Sequence, residues 1–289
     1  HGLIRFTERF DVKAVVDPVY AGEDAGDFLD GQPNGIPILA TLTEALDLMP
    51  ERQGTFVVGL ATDGGVLPDH ARIAVARAIT HGLNVVSGLH VFLNEDAEFV
   101  ELAERHSVSL TDVRQPPHRS DLHFYEGKID EVKSVRVLIL GTDSASGKRT
   151  TAWILRNALV EKGYSAEMIG TGQTAWMQGA RFGIRLDSLV NDFVAGEIEH
   201  VVRRAWQEAA PDVVVVEGQG ALLHPAYPGG LELIASVKPD VLLLQQEIEN
   251  LKHKNQELQK DNDKVVYDRA RSHARHEDEQ EKRKESRSL

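Results

Sequence analysis

The 289-residue chain contains no cysteine, which excludes disulfides, thiolate metal sites and cysteine nucleophiles. Aromatics are scarce at 6%, and positive charge is short: 32 Lys and Arg stand against 45 Asp and Glu. The resulting net charge of −13 argues against nucleic acid as a partner. No stretch approaches the roughly 18 consecutive apolar residues that a membrane helix needs, and the first residues carry no signal-peptide pattern. The chain is therefore expected in the cytoplasm, with small molecules rather than membranes as ligands. An anionic ligand must be held by local devices, against the charge of the whole.

Hydrophobic residues make up 42%, enough for two medium cores. The most informative stretch is residues 135–152, Val-Arg-Val-Leu-Ile-Leu-Gly-Thr-Asp-Ser-Ala-Ser-Gly-Lys-Arg-Thr-Thr-Ala. Val135 to Leu140 reads as a buried parallel strand, and Thr150 to Lys162 has helical apolar spacing. A turn between such elements aims backbone N–H groups and a helix N-terminus at one point, where an anion belongs. The candidate phosphate-binding residues are Gly141, Thr142, Asp143, Ser144, Ala145, Ser146, Gly147, Lys148, Arg149, Thr150 and Thr151. Two features depart from the usual pattern. Five residues rather than four separate Gly141 from Gly147, and Arg149 follows the lysine, displacing the magnesium-binding hydroxyl to Thr150 or Thr151.

Upstream, strands are expected at Val12–Val16, Phe56–Leu60 and Asn84–Ser87, with helices at Thr43–Leu48, Asp69–Thr80 and Asp96–His106. This alternation implies a parallel sheet of dinucleotide-fold type over residues 1–113. Its crevice lies beyond the strand carboxyl ends, where Asp17, the Thr62-Asp63-Gly64-Gly65 turn and His90 fall. Asp17 and Asp63 read equally well as strand-end caps; His90 is the candidate ligand contact. A polar, proline-bearing linker is expected over 114–133. The second α/β domain, 134–245, adds strands at Ala166–Ile169, Val213–Val216 and Val241–Leu244 and a helix at Glu197–Ala209.

Toward the C-terminus, Leu244, Ile248, Leu251, Asn255, Leu258, Asn262 and Val265 alternate four and three apart, a short heptad seam that runs into a tail spanning 246–289. A homo-oligomer is expected, with this heptad tail as one candidate route to it beside a solvated or disordered segment. From Arg269 the mixed-charge sequence has no apolar period.

Three further loops carry candidate chemistry. Glu217 closes the strand Val213–Val216, where a P-loop protein holds magnesium or positions water; it could equally act as a base. His224, in the proline-stiffened Leu223 to Gly230 loop with Tyr227, is the first choice for proton transfer. Gly170-Thr171-Gly172-Gln173-Thr174-Ala175 fits G-x-G-x-x-A, but beside a phosphate loop it reads as a substrate loop, so NAD is disfavoured. The candidate catalytic residues are thus His224, Glu217 and Gln173. The candidate substrate contacts are Gly172, Thr174, Arg181, Asp192, Tyr227 and His90, with Arg185 a second guanidinium for a carboxylate. Thr150 and Glu217 are the candidate magnesium ligands.

Gly-Leu-Ile-Arg-Phe at 2–6, Val-Ser-Gly-Leu-His at 86–90, the phosphate loop at 141–151, Gly-Thr-Gly-Gln-Thr at 170–174, Asn-Asp-Phe-Val-Ala-Gly at 191–196 and Glu-Gly-Gln-Gly-Ala-Leu-Leu-His-Pro-Ala-Tyr at 217–227 together resemble a prokaryotic two-domain family. That family is loosely labelled NAD-dependent epimerase/dehydratase and includes D-glutamate N-acetyltransferases. The resemblance implies a Rossmann-like N-terminal domain followed by a P-loop nucleoside-triphosphatase-type α/β domain, here with a short coiled-coil-like helix at the C-terminus. It also implies acetyl transfer from acetyl-CoA to the amine of D-glutamate. It leads one to expect a short segment ahead of His1 and more P-loop domain beyond Gln245. The phosphate loop also looks like that of dethiobiotin synthetase, so an ATP- and magnesium-dependent ligase or kinase is the alternative; a non-catalytic nucleotide-binding dimer is the third reading.

Overall fold

The computed structural model describes residues 1–49, 53–144, 146–222, 224–225 and 228–245, with Asp63 described by its backbone alone. Residues 1–245 form one compact unit. The chain opens with α1 (Gly2–Arg5), β1 (Val15–Val16), α2 (Ala25–Asp30), β2 (Ile38–Leu39) and α3 (Leu42–Asp47). It continues through β3 (Thr55–Val58), α4 (Asp69–Thr80), β4 (Asn84–Ser87), α5 (Ala97–His106) and β5 (Leu110–Asp112). The second half comprises β6 (Val135–Gly141), α6 (Lys148–Glu161), β7 (Ala166–Gly170), α7 (Gln173–Gln178), β8 (Phe182–Gly183), α8 (Asn191–Ala209), β9 (Val213–Glu217), α9 (Gly230–Val237) and β10 (Val241–Gln245).

The N-terminal sheet is smaller than the sequence suggests. Three parallel strands run in the order β3-β4-β5, while β1 pairs in parallel with β2 in a separate ribbon. The expected strand from Val12 to Val16 shrinks to Val15–Val16, with Lys13 interrupting the apolar run. Val75, Ile79, Leu83, Val85 and Phe99 form the core of this half. Buried Asp112, at the end of β5, accepts N–H bonds from Leu93 and Asn94 at 2.9 Å and fixes the turn after β4.

The second half is an all-parallel sheet in the order β10-β6-β9-β7-β8, with helices on its faces. Its strands are β-branched and almost wholly buried in the middle, as a two-sided parallel sheet requires. Because every strand points the same way, Gly141, Glu217, Gly170, Gly183 and Gln245 share one edge. β10 is an edge strand, and its Val241, Leu242, Leu243 and Leu244 stand 39 to 49% exposed.

The stretch expected as a linker is packed rather than free. Ile129 is fully buried, and two acidic side chains of α8 hold the segment before it. Glu197 accepts the N–H of His123 at 2.8 Å, and Glu199 accepts those of Glu126 at 2.7 Å and Ile129 at 2.9 Å. The close approach explains Gly196: a Cβ there would lie 1.9 Å from the His123 carbonyl oxygen. α8 starts six residues before the expected Glu197, so Asn191 to Gly196 is helical.

No described helix is long and apolar enough to cross a membrane. The heptad positions from Ile248 onward lie outside the described residues, and Leu244, the first of the series, belongs to β10.

Candidate functional site

The carboxyl edge of the second sheet gathers most of the residues singled out from sequence. β6 delivers the loop after Gly141, and α6 starts directly at Lys148, two residues earlier than expected. Gly147 precedes it at φ 87°, a left-handed conformation that a side chain would strain. Among the described residues no side chain caps α6, so its first amides are suited to an external anion. Lys148 is only 5% exposed, and its ammonium donates to the carbonyls of Asp143 at 2.7 Å and Ser144 at 3.0 Å. Ser146 Oγ also donates to the Asp143 carbonyl, at 3.0 Å. Burial lowers the lysine pKa, opposed by the carboxylates of Glu217 and Asp143.

The loop is braced from the neighbouring strand by a residue that sequence reasoning used only as a boundary. Gln245 accepts the N–H of Thr142 on its backbone oxygen at 3.1 Å, and its side-chain oxygen accepts the Thr151 hydroxyl at 2.6 Å. A Cβ at Gly147 would stand 2.9 Å from Gln245 Nε2. Nothing in the local pattern marks Gln245, since its role depends on β10 pairing with β6.

Glu217 ends β9 beside this loop, 5% exposed. Its carboxylate accepts the N–H of Thr171 at 2.9 Å and that of Gly172, tying β9 to the turn after β7. Desolvation raises its pKa; those amides and the nearby charges of Arg149 and Lys148 oppose the rise. The next residue must be glycine, because a Cβ at 218 would sit 2.1 Å from the Ile139 carbonyl oxygen and 3.0 Å from Lys148 Cδ. Thr171 Oγ1 reaches Gln219 Oε1 at 3.4 Å, joining the same two loops.

α7 links this edge to the N-terminal half. A Cβ at Gly88 would lie 2.8 Å from both Gln173 Cγ and Met177 Cε. Arg114 donates to the Gly88 carbonyl at 2.7 Å and pairs with Asp187, while Arg185 donates to the Val113 carbonyl at 2.5 Å. Arg185 thus serves the contact between the halves. Gln178 accepts the Trp153 indole N–H at 3.1 Å and donates to the Gly2 carbonyl at 3.0 Å. The turn after β4 brings His90 against Gly65, whose Cβ would lie 2.4 Å from the imidazole. Asp17 is a local cap, accepting the Val19 N–H at 2.9 Å.

Two family models match the chain: a Rossmann-like domain of unknown function, DUF1611_N, over residues 18–116, and a P-loop domain of unknown function, DUF1611_C, over residues 123–260. A crystal structure of a DUF1611 family protein from Anabaena variabilis ATCC 29413 is similar with a TM-score of 0.77 at 32% identity, covering 85% of this chain and 68% of that one. The chain belongs to the DUF1611 family. Two curated relatives named D-glutamate N-acetyltransferase come from a Pseudoalteromonas species and Tritonibacter scottomollicae; they are 36% and 31% identical over 191 and 193 residues, 66% of this chain each. The chain spans 55% of the length of those relatives.

In this DUF1611 chain Lys148, Arg149, Glu217, Thr171, Gly172, Gln173 and Thr174 come together around the carboxyl ends of β6, β9 and β7. A Cβ at Gly2 would meet Thr174 Cγ2 at 3.0 Å and an Arg149 guanidinium nitrogen at 3.3 Å, so α1 closes one side. His224 is exposed in the segment after β9. Tyr227 and Ala145 lie outside the described residues. Arg181, expected as a substrate contact, stands instead at the start of β8, away from the strand carboxyl ends, and pairs on the surface with Glu208 at 3.1 Å. Asp192 is exposed in the first turn of α8 and is not its cap, a position held by Val190. Thr150 is exposed, and among the described residues no group of three His, Asp or Glu side chains is arranged to hold a metal.

Proposed function

We propose that this chain carries the cofactor site of an N-acetyltransferase, in which the phosphates of acetyl-CoA occupy the 141–151 loop and the acceptor is the amine of D-glutamate or a similar amino acid. The observation that carries the reading is the Lys148 cradle, with the Glu217 and Thr171-Gly172 turns beside it, in a chain whose relatives bear that name. The amine nitrogen forms a bond to the thioester carbonyl carbon, the carbon–sulfur bond breaks, and the CoA thiolate leaves and takes a proton. A base must first remove a proton from the substrate ammonium. Glu217 is spent on backbone amides, which favours the exposed imidazole of His224 for that task. Backbone N–H groups of the turns after β7 and β9 would supply the donors for the oxyanion.

Thiol release from acetyl-CoA tests this directly, because a chain without cysteine contributes no background to a thiol reagent. Release that requires D-glutamate, exceeds that with L-glutamate and disappears in Lys148→Ala is the expected result. Hydrolysis of ATP in the presence of magnesium and the acceptor, with no thiol released, would replace the reading by a ligase or kinase.

A further inference from the structure

A P-loop fold implies a magnesium ion beside the bound phosphates, held by the hydroxyl that follows the lysine and by an acid at a neighbouring strand end. The residues of this chain do not fit that ion. The position after Lys148 is Arg149, which has no hydroxyl. Of the two threonines that follow, Thr150 is exposed on α6 and Thr151 donates its hydroxyl to Gln245 at 2.6 Å. Glu217, the strand-end acid, is buried and already accepts N–H bonds from Thr171, at 2.9 Å, and Gly172. A magnesium ion demands near-ideal octahedral oxygen geometry, and the Thr151 and Glu217 oxygens already bond within the protein, while Thr150 faces outward from α6.

A cation is nevertheless present by sequence. The Arg149 guanidinium is half-buried at the start of α6, and its Nε is buried without a hydrogen-bond partner among the described residues. Its charge, like that of Lys148, opposes the burial-driven rise of the Glu217 carboxyl pKa. A buried, unpaired donor is costly unless a ligand completes it, and a guanidinium matches phosphate oxygens in a two-pronged manner.

We infer that this loop binds its diphosphate ligand without a divalent cation, Arg149 supplying the second positive charge that magnesium supplies elsewhere. The inference rests on the reading of residues 141–151 as the CoA phosphate site.

The test is calorimetric titration of acetyl-CoA into the purified full chain, once with excess EDTA and once with excess magnesium, for the wild type, Arg149→Ala, Arg149→Lys and Arg149→Thr. Affinity of the wild type should agree within about twofold between the two buffers. Arg149→Ala should weaken binding by about tenfold or more in both, as loss of a charge-assisted pair does, and Arg149→Lys should recover part of it. Thermal melts of all four establish that the variants fold, and Arg149→Lys keeps the test sound if the alanine variant does not. Wild-type binding that strengthens about tenfold with magnesium, or is indifferent to Arg149→Ala, overturns the inference alone. Absence of acetyl-CoA binding in both buffers overturns the phosphate-site reading and the inference with it.

Discussion

Thr151 Oγ1 donates to Gln245 Oε1 at 2.6 Å, so the helix that starts at the phosphate loop is pinned to the end of the neighbouring edge strand. The bond joins residues far apart in sequence at the sheet edge where the ligand is expected. Gln245→Ala and Thr151→Ala should each lower stability by about 1 kcal/mol, read by urea denaturation, the typical worth of such a hydrogen bond. The double variant should lose less than the sum, because both single changes break the same bond. Both should also weaken acetyl-CoA binding by a few-fold, through loss of loop order rather than of contact.

Gly196→Ala reverses an ordinary rule. In the interior of an exposed helix, alanine stabilises relative to glycine by up to about 1 kcal/mol. Here the new methyl would fall 1.9 Å from the His123 carbonyl oxygen, against backbone that cannot rotate away. The variant should be destabilised by at least about 2 kcal/mol in urea denaturation, and protease sensitivity should appear first in residues 118–128. Unchanged stability would show that this segment does not rest on α8.

These two sites mark the limit of what was legible from sequence. α4 and β4 fall where periodicity places them, because each combines a long or strongly β-branched apolar pattern with clear ends. The phosphate loop is legible because its neighbours in space are its neighbours in the chain. Gln245 is not, since its contact exists only once β10 lies beside β6. The start of α8 is not legible locally, because Gly196 answers a tertiary demand, the close approach of the His123 carbonyl. Glu197 and Glu199 would pass for surface charges, but they flank Ile198 and precede Val201 and Val202 on a buried face, which is the one sequence signal that they serve the backbone of a neighbouring segment. Arg185 and Arg181 look alike in sequence; only the fold gives one to the contact between the halves and the other to Glu208.

Acid should loosen the contact between α8 and the segment around His123. The His200 ring stacks on His123 at 3.6 Å between centroids, with Glu197, Arg203 and Arg204 as its charged neighbours. Burial, and then the charge of His123, lower the His200 pKa below its ordinary 6.5. The unfolded chain then binds a proton that the folded chain resists, so the stability contribution is present above pH 6.5 and is lost as pH falls below it toward the folded pKa. His200→Gln should flatten this part of the stability profile, measured as melting temperature against pH. A slope unchanged by the substitution would place the proton uptake elsewhere.

The roles of Glu217 and His224 separate most cleanly through Glu217→Gln. The amide keeps an oxygen able to accept the Thr171 N–H, so the turn should hold, but the negative charge next to Lys148 and Arg149 is gone. Less opposition at the loop should tighten acetyl-CoA binding by a few-fold, since charges in such a sheltered site interact strongly. If the carboxylate only holds the turn, turnover with D-glutamate should stay within about tenfold of wild type, whereas His224→Ala should lose about 100-fold or more, the usual worth of a general base. Measuring kcat and the acetyl-CoA affinity for both variants decides between them. A collapse of turnover in Glu217→Gln alone, with binding intact, would transfer the base to the carboxylate and leave the imidazole a surface residue.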